Sequence, residues 1–293
     1  MDHMKKRNWS WLLLGSSSLL LVVGIVRATV STIPDSALIS STTYYTDQIG
    51  GGIGNVALTA NDDGSTAANN LGFTLNFFGT NYTQFYINNN GNITFQGPLS
   101  SFTPNGPQGA TEPVISPFFA DVDTRGSGSG LVYLRTDVAN EIIVTWNAVG
   151  YFADGTDKLD SFQLVLRGPG FTVPAGEGQI GFFYKTMQWE VGGASGGVDG
   201  VCTGGVGTTC FPAAVGFGDG ASNGSVLQGS LASGIAAIVN DHHIWFNLSG
   251  GVPTPVGTPS AVPAPGTLWL IALGIIGLGL TQWMRRRDSR ASA

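Results

Sequence analysis

The chain has 293 residues, enough for one or two domains with a hydrophobic core. Eight of its thirteen Lys and Arg residues lie near the two ends, so residues 29–264 hold five basic and seventeen acidic residues, a net charge of −12. Such a surface repels phosphates, which excludes a nucleic-acid partner, and it suits a protein outside the cytoplasm that attracts divalent cations.

Residues 1–28 have the pattern of a secretory signal peptide. A basic segment, Lys5 to Arg7, precedes an apolar stretch from Trp11 to Ile25, and small residues lead to a cleavage point after Ala28. An uncleaved N-terminal anchor is the alternative, but the stretch is short for a bilayer span of about 20 residues. We therefore expect export and removal of this segment.

The next part of the chain is predicted to be all-β. Residues 29–55 form a lead-in segment, and residues 56–249 consist of short aromatic and β-branched runs between turn residues. No 3.6-residue apolar period occurs in them, so helix should be minor. An antiparallel β-sandwich of about nine or more strands follows from nine candidate segments: 72–79, 83–88, 92–96, 131–136, 141–147, 161–167, 179–186, 213–219 and 243–249.

One turn is specified most clearly. In the segment FYINNNGNITF, Asn90 and Gly91 are predicted to form the centre of a tight hairpin. Both residues would then have a positive φ, as the favoured two-residue turn requires.

Several enzyme motifs match only superficially. Gly193 to Gly197 fits G-x-S-x-G, but a glycine-rich loop follows instead of a helix. Gly176 to Gly181 fits G-x-G-x-x-G, but it leads into a strand. His242 and His243 are adjacent on a strand, so they point to opposite faces and cannot share one metal ion. We predict a protein that is not an enzyme, with a hydrolase as the weakest alternative because no acid/base pair stands out.

Asp121 and Asp123 begin a segment that resembles the start of a calcium-binding loop, with Gly126 at its sixth position. Its fifth position is Arg125 and its twelfth is Val132, neither of which can be a ligand, so an EF-hand is excluded. Two interpretations remain open. The carboxylates stabilise the turn, or they bind calcium with ligands from elsewhere; no other cofactor is predicted.

Cys202 and Cys210 are the two cysteines of the chain. An exported pair usually oxidises, so we predict a structural disulfide. A redox-active or metal-binding pair is the alternative, but there is no C-x-x-C spacing and no third ligand nearby.

A family resemblance rests on segments in a characteristic order. They are LGFTLNFFGTNYTQFYINNNGNITF, ISPFFADVDTRGSGSGLVYLRT, IIVTWNAVGYF, SFQLVLR, GQIGFFYKTMQWE and VGFGDG. Together they resemble the nidogen-like (NIDO) extracellular domain over residues 56–249, with Phe119 where that family often has Trp. The resemblance implies an extracellular interaction module associated with cell–matrix adhesion, and it carries no catalytic residues.

The C-terminus resembles the bacterial PEP-CTERM sorting signal. A Pro-rich spacer, residues 250–265, ends in Val262-Pro263-Ala264-Pro265, in which Ala264 replaces the usual Glu. Residues 266–284 are uncharged and long enough for a transmembrane helix. Arg285, Arg286 and Arg287 open a basic tail, residues 285–293, expected to lie in the cytoplasm. The resemblance implies an exosortase-type membrane protease as partner and cleavage near the motif.

These observations predict a non-enzymatic adhesion or interaction protein of the cell surface or extracellular matrix of a Gram-negative bacterium. It would be made as a single-pass inner-membrane precursor, and its mature domain would be periplasmic, cell-surface or extracellular. Its partners would be extracellular polysaccharide or matrix and envelope proteins. The alternative is a carbohydrate-binding module in which exposed aromatic residues stack on sugar rings: Tyr44, Tyr45, Tyr151 and Trp189.

Overall fold

The computed structural model describes residues 30–107, 110–203 and 209–257, which form sixteen strands in two sheets. The seven-stranded sheet has the order β1 (Val30–Ile33), β14 (Gly224–Leu227), β13 (Ala214–Asp219), β7 (Pro113–Phe119), β6 (Asn92–Thr94), β5 (Thr80–Asn88) and β4 (Asn69–Phe77).

The nine-stranded sheet completes the sandwich. Its order is β16 (Val252–Pro255), β15 (His242–Ser249), β12 (Ile180–Thr186), β11 (Gly155–Arg167), β10 (Glu141–Tyr151), β9 (Val132–Arg135) and β3 (Asn55–Leu58), with β2 (Ile39–Ser40) paired to β15 and β8 (Val122–Asp123) paired to β10. The described residues also contain two five-residue helices, α1 (Tyr45–Ile49) and α2 (Ile235–Val239). Each of the nine predicted segments overlaps a strand, so the all-β sandwich is confirmed.

The core lies between the two sheets and is rich in aromatic rings. Phe182 of β12 stacks on Phe217 of β13 with ring centroids 5.2 Å apart, and Phe118 of β7 packs on Phe162 of β11 at 5.6 Å. Burial alternates along part of β5, because Phe85 and Ile87 are fully buried while Gln84 is exposed and Tyr86 is half-buried.

The strands extend beyond the predicted domain limits of 56 and 249. β1 lies in the predicted lead-in segment and pairs in parallel with β14, which is an exception to the expected antiparallel order. α1 also lies there and covers the outer face of the nine-stranded sheet, where Tyr45 packs on Phe183 and Trp245. β16 lies in the predicted Pro-rich spacer and pairs with β15.

The predicted fold class needs one correction. In the described ranges, no helix is long and apolar enough to cross a membrane, so the transmembrane helix is withdrawn from the fold class. Residues 266–284, to which it was assigned, lie outside the described residues. The same holds for the signal peptide with Ala28, for the sorting motif Val262 to Pro265 and for the tail with Arg285 to Arg287.

Candidate metal centre

The hairpin between β5 and β6 differs from the expected turn. Asn88 pairs with Asn92, so the loop has three residues, and of these Gly91 alone has a positive φ, +73°. The two-residue turn was therefore wrong. The longer loop has a structural role, because its residues Asn89 and Asn90 are fully buried.

These two asparagines hold three neighbouring segments together. Asn89 Nδ2 donates to the carbonyl of Val122 at 2.6 Å and to that of Asp62. Asn90 Oδ1 accepts from the amide of Val122 at 3.0 Å, and its Nδ2 donates to Asp63 Oδ1 at 2.8 Å. The β5–β6 hairpin is thereby joined to the start of β8 and to the loop between β3 and β4.

That loop contributes two acidic residues that the sequence did not single out. Its segment Asn61-Asp62-Asp63-Gly64 forms a turn in which Asn61 Oδ1 accepts from the amide of Gly64 at 2.7 Å. A second contact, from Thr124 Oγ1 to the Asn61 carbonyl at 2.8 Å, ties the turn to the segment after β8. Two adjacent carboxylates in an Asn/Gly turn were the available signal.

The structure separates the two predicted calcium ligands. Asp123 is fully buried and is held by Arg125, whose Nε and Nη2 lie 2.9 and 2.7 Å from its two carboxylate oxygens. The amides of Arg125 and Asp154 also donate to it, each at 3.0 Å. With four donors, Asp123 stabilises the turn.

Asp121 instead joins the acidic turn. One ligand atom from each of Asp62, Asp63 and Asp121 lies within 4.8 Å of the others. Asp121 is 1% exposed, and its Oδ2 has no hydrogen-bond partner in the described part of the chain. Oδ1 of Asp62 is also buried and has no hydrogen-bond partner among the described residues.

The electrostatics of the three aspartates Asp62, Asp121 and Asp123 differ accordingly. Burial, and then the charges of Asp62 and Asp63, raise the pKa of Asp121 to about 7, although hydrogen bonds from the backbone of Ser195 and Ala194 act in the opposite direction. Burial, followed by the charges of Asp63 and Asp123, raises the pKa of Asp62 to about 6. Burial acts in the same direction on Asp123, but hydrogen bonds from Arg125 outweigh it and hold its pKa below the usual range.

The aromatic residues expected to stack on sugars are not available for that role. The exposed fractions of Tyr44, Tyr45, Tyr151 and Trp189 are 3, 4, 7 and 0%. The indole Nε1 of Trp189 donates to the carbonyl of Val149 at 3.0 Å, so this ring belongs to the core. The sugar-stacking interpretation was wrong for all four residues.

The structure also accounts for the other motifs. Cys202 and Cys210 form the predicted disulfide, with Cα atoms 5.9 Å apart, within the usual range. Ser195 is buried, and its hydroxyl lies 3.0 Å from that of Thr103. His243 stacks on Phe183 with ring centroids 5.0 Å apart.

Comparisons with known proteins agree with the fold. The family model described as NIDO related matches residues 37–214, and the chain belongs to this family. A PEP-CTERM protein-sorting motif matches residues 261–287. The chain is therefore an exported protein of the extracellular space or the cell surface.

Two curated relatives illustrate how far the similarity extends. The chain is 31% identical to alpha-tectorin of Mus musculus over 165 residues, which cover 46% of this chain and 7% of the relative. It is 30% identical to nidogen of Drosophila melanogaster over 141 residues, or 40% of this chain and 10% of the relative. The matches thus span a tenth or less of these relatives. No solved structure matches the chain.

Proposed function

We propose that this chain is a non-enzymatic adhesion or interaction protein of the bacterial cell surface or extracellular matrix. It contacts exopolysaccharide or other matrix and envelope proteins. The observation that carries the proposal is the presence of a NIDO-related domain and a PEP-CTERM sorting motif in one chain. The family resemblance supports the adhesive role, and the sorting motif supports transport to the cell surface.

Two features of the chain support a binding role. Ser195 of the G-x-S-x-G match is engaged with Thr103, and His243 is engaged with Phe183, so both side chains have structural contacts. The acidic excess of residues 29–264 gives the domain a strongly negative surface, which favours cationic groups or cation-bridged polymers as partners.

Processing at the C-terminus is the first part to test. An exosortase-type protease would cleave near Pro263 to Pro265 and remove the Arg triplet, although Ala264 replaces the usual Glu. We expect the intact mass of the exported protein to correspond to a chain that begins after Ala28 and ends near residue 264. Simultaneous Arg285→Ala, Arg286→Ala and Arg287→Ala changes should block this processing, whereas Arg290→Ala is the matched control. A mature protein that retains the triplet contradicts the cleavage.

Adhesion is the second part. Cells that lack the gene should attach less to matrix-coated surfaces, and the wild-type gene should restore attachment while the triple Arg variant should not. Purified protein should bind matrix fractions without changing them. Turnover of a glycan or peptide that is abolished by one carboxylate substitution would overturn the non-enzymatic assignment, and normal attachment of the deletion strain would overturn the adhesive one.

A further inference from the structure

We propose that Asp62, Asp63 and Asp121 bind a divalent cation, and that calcium is the ion this site accepts. The site replaces the predicted pair of Asp121 and Asp123, because Asp123 is already saturated by donors from Arg125 and Asp154. It brings together the β3–β4 loop and the β7–β8 turn, which are far apart in the chain.

The spacing of the carboxylates fits one ion. Calcium–oxygen distances are about 2.3–2.6 Å, so two ligand atoms on opposite sides of one calcium ion are about 4.6–5.2 Å apart. The three ligand atoms lie within 4.8 Å of one another, close enough for one ion to contact all three.

Unsatisfied oxygens point to a missing partner. Asp121 is 1% exposed, and its Oδ2 has no hydrogen-bond donor in the described part of the chain; Oδ1 of Asp62 is likewise buried and without a donor. Buried carboxylate oxygens normally accept hydrogen bonds or coordinate metals, because their desolvation is otherwise uncompensated. A cation bound between them would provide that compensation.

The local charge is also unbalanced. Arg125 lies 2.7 Å from Asp123, 3.0 Å from Asp62 and 4.0 Å from Asp154. Its single charge is therefore shared by these three carboxylates, of which Asp62 also belongs to the acidic cluster with Asp63 and Asp121. A divalent cation bound by Asp62, Asp63 and Asp121 would supply positive charge where these carboxylates converge.

The ligand chemistry selects calcium among the common ions. The ligands are all carboxylates, whereas zinc and copper favour imidazole or thiolate. Three carboxylates on two separate loops suit the irregular, six- to eight-fold coordination of calcium better than the strict octahedron of magnesium, with water completing the shell. Extracellular calcium sites have dissociation constants of about 10⁻⁴–10⁻³ M, and an affinity in this range would suit an exported protein.

Bound calcium would join two loops that each run from one sheet to the other. Asp62 and Asp63 lie in the β3–β4 loop, which leads from the nine-stranded to the seven-stranded sheet, and Asp121 lies in the β7–β8 turn, which leads back. The ion would thus fix these two connections to each other beside the buried Asn89 and Asn90. Calcium should raise the resistance of the protein to unfolding.

The test is calcium titration of the purified full-length protein after treatment with EGTA, followed by calorimetry and by thermal unfolding. We expect one bound ion and a rise in Tm of about 5–10 °C at 100 times Kd. Magnesium should bind more weakly. Absence of calcium binding, or equal affinity for magnesium, would overturn the proposal.

Variants locate the ion. Asp63→Asn and Asp121→Asn should each weaken calcium binding about tenfold or more, because affinity depends on the number of charged ligands. Asp35→Asn is the matched control, since Asp35 is exposed and belongs to another part of the fold. If Asp121→Asn does not fold, Asp63→Asn still tests the site, because Asp63 is partly exposed. Wild-type affinity in Asp63→Asn would show that the ion binds elsewhere.

Discussion

Replacement of Arg167 by Met should destabilise the protein strongly, because Arg167 is the centre of a buried ionic network. Its side chain is fully buried, and its Nε lies 2.8 Å from Oε2 of Glu141, which is also buried. Its Nη1 donates to the carbonyl of Gly178 at 3.0 Å, and its Nη2 donates to the hydroxyl of Tyr45 at 2.6 Å. The guanidinium also lies 4.4 Å from the ring centroid of Trp245.

The expected magnitude follows from what the substitution leaves behind. Met fills much of the volume of the Arg stem, so the main loss is electrostatic. Glu141 becomes a buried charge without a partner, and the half-buried Glu177, whose Oε2 lies 2.6 Å from Nη2 of Arg167, loses its ion pair as well. Such a change costs about 3–5 kcal/mol. The double variant Arg167→Met, Glu141→Gln should be more stable than the single one, because the more deeply buried of the two unpaired carboxylates is gone.

Urea unfolding monitored by tryptophan fluorescence at pH 7 measures both effects. Lys185→Met is the matched control, since its ion pair with Asp47, at 2.9 Å, is exposed and should contribute about 1 kcal/mol or less. A loss below about 1 kcal/mol for Arg167→Met, or a double variant less stable than the single one, would refute the reasoning.

Three further predictions concern stability. Gly91→Ala should cost more than about 2 kcal/mol in urea unfolding, because a Cβ there would overlap the Phe118 carbonyl oxygen; Gly72→Ala, also at positive φ but in open space, should cost about half as much. Burial raises the pKa of Asp160 well above its usual value, so its contribution to stability is lost as pH rises above about 4. The free energy of unfolding of Asp160→Asn, measured in urea, should therefore rise relative to that of the wild type as the pH increases from 4 to 8. A pH-independent difference would contradict this. Replacing both Cys202 and Cys210 by Ser should cost about 2.5 kcal/mol, and reducing agent should lower the Tm of the wild type alone.

Local signals in the sequence were sufficient for most of the strands. The alternation around Phe85 and Ile87 reflects a strand with one face in the core, and this pattern can be read without knowing the partner strands. β7 was not among the predicted strands, because every residue from Pro113 to Phe119 is buried and no alternation marks the strand. β1 and β16 lack a strong apolar pattern; they are edge strands and owe their conformation to pairing with β14 and β15.

The acidic site could not be predicted from local sequence patterns. Asp121 and Asp123 look equivalent in the sequence, yet one is saturated by Arg125 and the other faces the turn at Asp62. The aromatic residues show the same limit, because composition does not reveal whether Trp189 faces solvent or core.

The sequence alone determined the all-β class, the disulfide and the family, since these depend on residue type, on short-range periodicity and on the order of motifs. Only the tertiary structure decided which carboxylates converge and which aromatic rings are buried. The reason is physical: pairing between distant strands sets the distances between loops, and those distances determine where buried charges find partners or lack them.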